Sequence, residues 1–336
     1  MKLNKKLLLF LFILLSSVSL VFSYSNELTV HFIDVGQGDS ILIRTPSQNI
    51  LIDGGERSAG PTVVRYLQGQ GIKELDLVIS THPHSDHIGG LIDVLKKFSV
   101  KEVIDPAIIH TTRTFEEYLT LIDQKNIIFT QGRAGMTRDL SDGISMTILH
   151  PVKPSGDHLN DTSVVTRLKY NKVSFLFTGD AETISEMEMM SNGTDLKSTI
   201  LKVGHHCSCS STSPAFLNAV SPAAAIIMVG AENKYNHPHK EVMDRLQKTG
   251  LDIYRTDLNG TIVVSTNGET YNIKAERNQL ETEGLFVGSK KSDKYHYPSC
   301  TNAKTIQPHN LIWFSSVAEA KKAGYKPCGG CKPPNQ

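Results

Sequence analysis

The chain has almost no net charge: 35 Lys and Arg against 34 Asp and Glu leave +1 over 336 residues. That excludes a global electrostatic bias toward nucleic acid or membrane, so any basic patch must be local. There is no long internal repeat. Beyond the first segment there is no run apolar and long enough for a transmembrane bundle. Cysteine is scarce, and five is an odd count for a secreted chain. Placement accounts for the five better than disulfides do. Cys300, Cys328 and Cys331 are C-terminal, and Cys207 and Cys209 sit beside a histidine pair.

The start of the chain differs from the rest. Lys2, Lys5 and Lys6 precede an apolar stretch from Leu7 to Leu15, with an apolar and serine tail to Phe22. Residues 1–23 read as a secretory signal peptide, so the mature protein is expected outside the cytoplasmic membrane, without stable membrane insertion. The rival reading is an uncleaved anchor, for which the stretch is short. No cysteine lies near the cut, which argues against a lipoprotein.

From 27 to 275 strands and helices alternate. Leu77–Ser80 reads as a buried strand and Leu91–Lys97 as a helix. Strands are expected over Thr29–Ile33, Ser40–Arg44, Asn49–Asp53, Ser145–Pro151, Ala224–Val229, Ile253–Thr256 and Thr261–Ser265, and a hairpin over Val164–Thr178. Helices are expected over Val63–Gln68, Phe115–Gln124, Ser185–Met190 and Lys240–Lys248. Residues 276–284 are polar and aperiodic and read as a linker. Residues 285–336 form a small module, too small for a strong core, which favours a metal staple.

Between that strand and that helix lies Thr81-His82-Pro83-His84-Ser85-Asp86-His87-Ile88-Gly89-Gly90. Imidazole and carboxylate suit zinc and its neighbours. His82 and His84 can converge on one ion, and Asp86 and His87 can face a second. Gly179-Asp180 ends the apolar strand before it, where a carboxylate can bridge two ions. Of the adjacent His205 and His206, one completes the metal shell and the other donates a hydrogen bond or proton to substrate. His237 is a ligand or a general acid, and His239 a cap or surface residue. The tail carries a second signal. Cys328 and Cys331 make a knuckle, Cys300 adds a thiolate, and His296 closes a Cys₃His tetrahedron of structural type, with zinc favoured over disulfide.

The histidine run resembles the HxHxDH motif of the metallo-β-lactamase fold, which implies an αββα sandwich of the α/β class. Seven ordered segments narrow the resemblance to the ComEC-type competence proteins: FIDVGQGDS from Phe32, LIDGG from Leu51, THPHSDHIGG, NDTS from Asn160, the FTGD ending at Asp180, LKVGHH, and NHP from Asn236. It covers roughly Thr29 to Asn272. It implies hydrolysis by water activated between two divalent ions, zinc or manganese, with His205, His206 or His237 assisting the leaving group and Asp86 among the catalytic ligands. It also implies that Asp53 supports the ligand loop by hydrogen bonding. Asn160 lies where other branches carry a histidine, so it either binds metal weakly or leaves that corner to water. Asp34, Gln37 and Asp39 either hold a glycine turn or touch substrate. Cys207 stands where the family has glycine.

The tail resembles the metal-binding module of the Ada type over Phe286 to Lys332, which implies one structural zinc. Similar modules occur at the ends of some secreted bacterial nucleases. Its eight lysines and interleaved aromatics are compatible with holding a nucleic-acid backbone and stacking bases, or with simple solubility. The expected function is a secreted phosphodiesterase or nuclease acting on DNA. The alternatives are a small-molecule or cell-surface ester hydrolase, of phosphorylcholine esterase or lactonase type, and a binding protein that uses the tail alone. Without a transmembrane bundle, the chain is not expected to be an uptake channel itself.

Overall fold

The computed structural model describes residues 27–153, 158–231, 233–277, 286–307, 310–314 and 316–334. The expected signal peptide over 1–23 lies outside the described residues, as do 278–284 of the expected linker. Glu276 and Arg277 are still tied to the large domain. Their amides donate to Thr261 and Asn259 carbonyls, and Arg277 pairs with Asp34 at 2.9 Å.

Two twisted sheets face each other. The first uses β1 (Leu28–Phe32), β2 (Ile41–Arg44), β3 (Asn49–Ile52), β4 (Glu74–Ile79), β5 (Ser99–Asp105) and β6 (Ile128–Gln131). The second uses β7 (Thr137–Asp139), β8 (Ile144–His150), β9 (Val165–Tyr170), β10 (Val173–Phe177), β11 (Ile200–Lys202), β12 (Ala224–Ile227) and β13 (Asp252–Arg255). β14 (Ile262–Thr266) and β15 (Tyr271–Ala275) return to the first sheet. The orders are β15-β14-β1-β2-β3-β4-β5-β6 and β13-β12-β11-β10-β9-β8-β7. Each sheet is antiparallel on one side and parallel on the other: β3 to β6 in the first, β10 to β13 in the second.

Alternation of side chains along the strands makes three apolar layers. Val30, Phe32, Ile43, Ile50, Ile79, Phe175, Phe177, Ile200 and Ile226 fill the space between the sheets. Leu42, Leu51, Val78 and Val103 face the helices Gly60–Gly69, Leu91–Lys97 and Arg113–Gln124. Leu176, Leu201, Ala225 and Ile227 face Thr183–Ser191, Pro214–Val220 and Lys240–Lys248. The result is the αββα sandwich.

The C-terminal residues form a separate sheet in the order β18-β16-β17-β19 (Leu311–Phe314, Phe286–Ser289, Lys294–His296, Lys326–Pro327). Its apolar residues are few: Phe286, Tyr295, Phe314 and Ala320 on one side, Val287, Ala303, Cys300 and Cys328 on the other. Among the described residues, no helix is long and apolar enough to cross a membrane.

Candidate metal centre

The donors converge where parallel strands of both sheets end, the position at which open α/β sheets place their sites. Asp53 follows β3, His82 to His87 follow β4, Asp180 follows β10, His205 and His206 follow β11, and His237 lies in the loop after β12. Glycine lets two of these loops touch. A Cβ on Gly90 would lie 1.9 Å from the Gly54 carbonyl oxygen, and the Gly54 amide donates to the His87 carbonyl at 2.7 Å.

Asp180 is the hub. Its Oδ2 lies 3.2 Å from His87 Nε2, 3.4 Å from His206 Nε2, 3.7 Å from His205 Nε2 and 3.9 Å from His82 Nε2. Asp86 Oδ2 is 3.4 Å from His206 Nε2. One donor set is therefore Asp86, His87, Asp180 and His206, with donor atoms within 4.8 Å of one another. His82 and His84 stand beside it, with His82 Nε2 3.0 Å from His84 Nδ1, and share the Asp180 edge.

Each ring is held from behind. His87 Nδ1 pairs with Asp53 Oδ2 at 2.8 Å, and Asp53 also accepts from the amide and hydroxyl of Thr81 at 2.8 and 2.7 Å. His206 Nδ1 donates to the Met228 carbonyl at 2.9 Å. Both bonds leave Nε2 facing the centre, the arrangement that fixes a ligand's tautomer. His205 and His206 follow the same strand yet part company. Both, with Cys207, have positive φ (46°, 53° and 69°), so the backbone coils left-handed there. That turn sends His206 into the donor set. It leaves His205 partly exposed, with Nδ1 3.0 Å from Glu182 Oε1. The sequence left this pair unresolved. Cys207 therefore occupies a left-handed position that glycine would adopt without steric cost. Cys207 is buried in the helix-facing layer of the second sheet, Cys209 is exposed, and both are free thiols.

The remaining candidates Gln37, His84, Asn160 and His237 line a cleft of about 210 Å³ with Asp86, Asp180, His205 and His206, and Tyr235 joins them there. The His237 ring is 5.5 Å from that of His205, and burial lowers its pKa to about 4. It is neutral at pH 7. His239 Nδ1 accepts from the Cys209 amide at 2.9 Å, outside the cage, and caps no amide of the helix that follows it. Asp39 pairs with Lys202, and Gln37 accepts from the Gly230 amide, so both hold the frame of the cleft.

Three residues here were not singled out by sequence. Lys202 is fully buried, 2.5 Å from Asp39 Oδ2 and 3.8 Å from Asp180 Oδ1. Glu182 bonds Asn160, Ser210 and His205. His110 stands 6.5 Å from His84, ring to ring. The alternation of β11 is the one signal that could have found Lys202. Ile200 faces the inter-sheet layer and Leu201 the helices, so Lys202 points inward.

The electrostatics fit a cation. His87 Nε2, His206 Nε2, Asp180 Oδ1 and Asn160 Oδ1 are buried and make no hydrogen bond. Burial penalises a charged His87, but Asp180 and Asp53 outweigh it and raise its pKa well above the ordinary value. His206 is likewise raised to about 10, against burial, by Asp180, Asp86 and Asp39. Burial also opposes the charged forms of Asp86 and Asp180, yet neighbouring histidines hold both below the usual carboxylate range. His82 is fully buried, and burial together with His87 pushes its pKa far down. Carboxylates that draw protons onto buried imidazoles would draw a divalent ion equally.

In the C-terminal module His296, Cys300, Cys328 and Cys331 bring one donor atom each within 4.8 Å of the others. This fits a tetrahedral structural site.

A sandwich of this form with a His/Asp cage at its strand ends defines a metal-dependent hydrolase. The chain belongs to the metallo-β-lactamase superfamily, whose family model matches residues 33–231. The model of the metal binding domain of Ada matches residues 269–334. Among curated proteins the chain is 33% identical over 256 residues to ComE operon protein 3 of Bacillus subtilis, covering 71% of this chain and 33% of that protein. It is 32% identical to competence protein ComA of Neisseria gonorrhoeae (70% and 32% covered) and 32% identical to recombination protein 2 of Haemophilus influenzae (80% and 33%). The chain thus spans about a third of the length of these relatives.

Proposed function

We propose that this protein is a phosphodiesterase that cleaves nucleic acid, DNA foremost, outside the cytoplasmic membrane. The observation that carries the reading is the pairing of a buried donor cage with a proton-handling histidine on one cleft: His205 is 3.7 Å from Asp180 and backed by Glu182. Relatives named for competence and recombination support nucleic acid as the substrate. So does the lysine-rich module with its aromatic residues. The apolar, lysine-led N-terminus supports action outside the membrane.

Asp86, His87, Asp180 and His206 would hold one divalent ion, and His82, His84 and Asp180, with the Asn160 carbonyl, a second. Zinc or manganese there supplies Lewis acidity and lowers the pKa of nearby water. The protein does the rest. Asp53 and the Met228 carbonyl keep His87 and His206 aimed inward. His205 delivers a proton from Nε2 to the leaving oxygen. Neutral His237, beside His205 in the same cleft, orients the substrate by hydrogen bonding.

The test uses the mature protein, with Asp86→Ala and His84→Ala, on labelled single-stranded DNA with Mn²⁺ or Zn²⁺. Metal-dependent cleavage lost in both variants is expected. Intact DNA and RNA under several divalent metals, with turnover of a choline ester or lactone, would replace this reading with that of a small-molecule ester hydrolase. DNA affinity that survives removal of residues 27–275, without cleavage by the full chain, would leave a binding protein.

A further inference from the structure

Glu182 lies two residues past Asp180, immediately before the helix Thr183–Ser191. Its side chain makes no capping bond to that helix. The carboxylate turns instead into the cleft wall. One oxygen, Oε1, meets three donors from two segments: His205 Nδ1 at 3.0 Å and Ser210 Oγ at 2.9 Å in one loop, and Asn160 Nδ2 at 3.0 Å in another. The backbone is fixed too, since the Glu182 amide donates to Asp161 Oδ1 at 3.1 Å. Ser210 Oγ stands 3.2 Å from His205 Nδ1 and closes the cluster.

We propose that Glu182 is a positioning residue that sets two walls of the cleft at once. The proposal rests on the hydrolytic reading above. By accepting from His205 Nδ1, Glu182 keeps a proton on that nitrogen and confines the exchangeable one to Nε2, which faces Asp180. By accepting from Asn160 Nδ2, it turns the amide so that the carbonyl is the free end. That oxygen is buried without a hydrogen-bond partner, as an oxygen that serves a cation or substrate would be.

The consequence is a preference for esters whose leaving group needs a proton. Water supplies the oxygen of the new P–O bond. The P–O bond to the leaving sugar breaks with its electron pair on that oxygen, and the Nε2 proton of His205 goes to it. The proton released by the water restores the imidazolium. Nδ1 stays bonded to Glu182 throughout. A nitrophenolate leaves unaided and depends less on this step.

The experiment compares wild type with Glu182→Gln and Glu182→Asp as metal-loaded full chains. Substrates are a dinucleotide and bis-nitrophenyl phosphate, and metal content is measured in parallel. In Glu182→Gln, kcat is expected to fall about a thousandfold on the dinucleotide and about tenfold on the nitrophenyl ester, with KM within about threefold. Glu182→Asp recovers part of the difference. Nitrogen NMR of the zinc-loaded protein, at a pH high enough to leave His205 neutral, should show its single proton on Nδ1 in wild type and divided between the two nitrogens in Glu182→Gln. Equal losses on both substrates with an unchanged His205 tautomer overturn the proposal and make Glu182 merely structural. Wild type inert toward every phosphodiester overturns the phosphodiesterase reading instead, and the NMR comparison still decides whether Glu182 positions His205.

Discussion

In the sandwich, the His/Asp cage sits on top of three apolar layers that close without it. In the C-terminal module, the donors are built into one of its two small buried clusters: Cys300 and Cys328 pack with Val287 and Ala303, and Cys331 lies against the same cluster. Both sites gather buried donors, yet they stand in opposite relation to folding. A scaffold that buries whole sheet faces carries its site as a passenger. A sheet of short strands with a handful of buried side chains does not outweigh its own chain entropy, so a bound ion has to supply the remainder.

Chelation breaks this comparison most directly. Stripping metal is expected to unfold the module, where structural zinc is worth on the order of 10 kcal/mol. Hydrogen exchange should lose protection over 286–334 and keep it over 28–275. Cys328→Ser should do the same without a chelator. Protection lost together in both regions would refute the contrast.

Asp180→Ala is the converse. It removes the oxygen that four histidines share, and hydrolysis should fall about a thousandfold or more, roughly 4 kcal/mol. The sandwich should still melt cooperatively by circular dichroism.

Acid separates the regions next. His31 is buried, bonded to Tyr66 at 2.8 Å and Thr29 at 2.9 Å, and burial, with Arg44, lowers its pKa to about 4. The unfolded chain binds its proton from the ordinary value near 6.5. The contribution is therefore whole above pH 6.5 and is lost as pH falls toward 4, by about 3 kcal/mol. The melting temperature of the sandwich should drop across that window, and His31→Gln should flatten that part of the profile.

Asp53→Asn should act least. It loosens His87 without deleting a donor, so metal affinity should weaken about 10- to 100-fold, read by competition with a chromogenic chelator.

What the sequence made legible follows from locality. His82 to His87 lie within one turn, so their chemistry shows as a string. β3, β4, β10 and β11 are buried runs with clear apolar character. β5 sets the adjacent Lys101 and Glu102 between its two valines, breaking the alternation, and went unread, as did the short, exposed β6 and β7. The helix Pro214–Val220 also went unread, although Ser213 caps it by accepting from the Phe216 amide. Lys202 and Glu182 looked like ordinary charged residues because the partners that define them are distant. Asp39 lies 163 positions from Lys202, and Asn160 lies 22 from Glu182. Which of His205 and His206 enters the cage depends on a left-handed backbone turn that no spacing rule encodes.

The buried Lys202–Asp39 pair bears on the order of events in time. It places one fixed positive charge under the cage once the two sheets pack together. Asp180 then has an ammonium nearby, and His87 and His206 can take up protons while no ion is present. The charge enclosed by the sandwich is thus compensated before metal arrives. This domain can fold first and load afterwards. In the module the donors belong to the buried cluster itself, so it captures its ion as it folds.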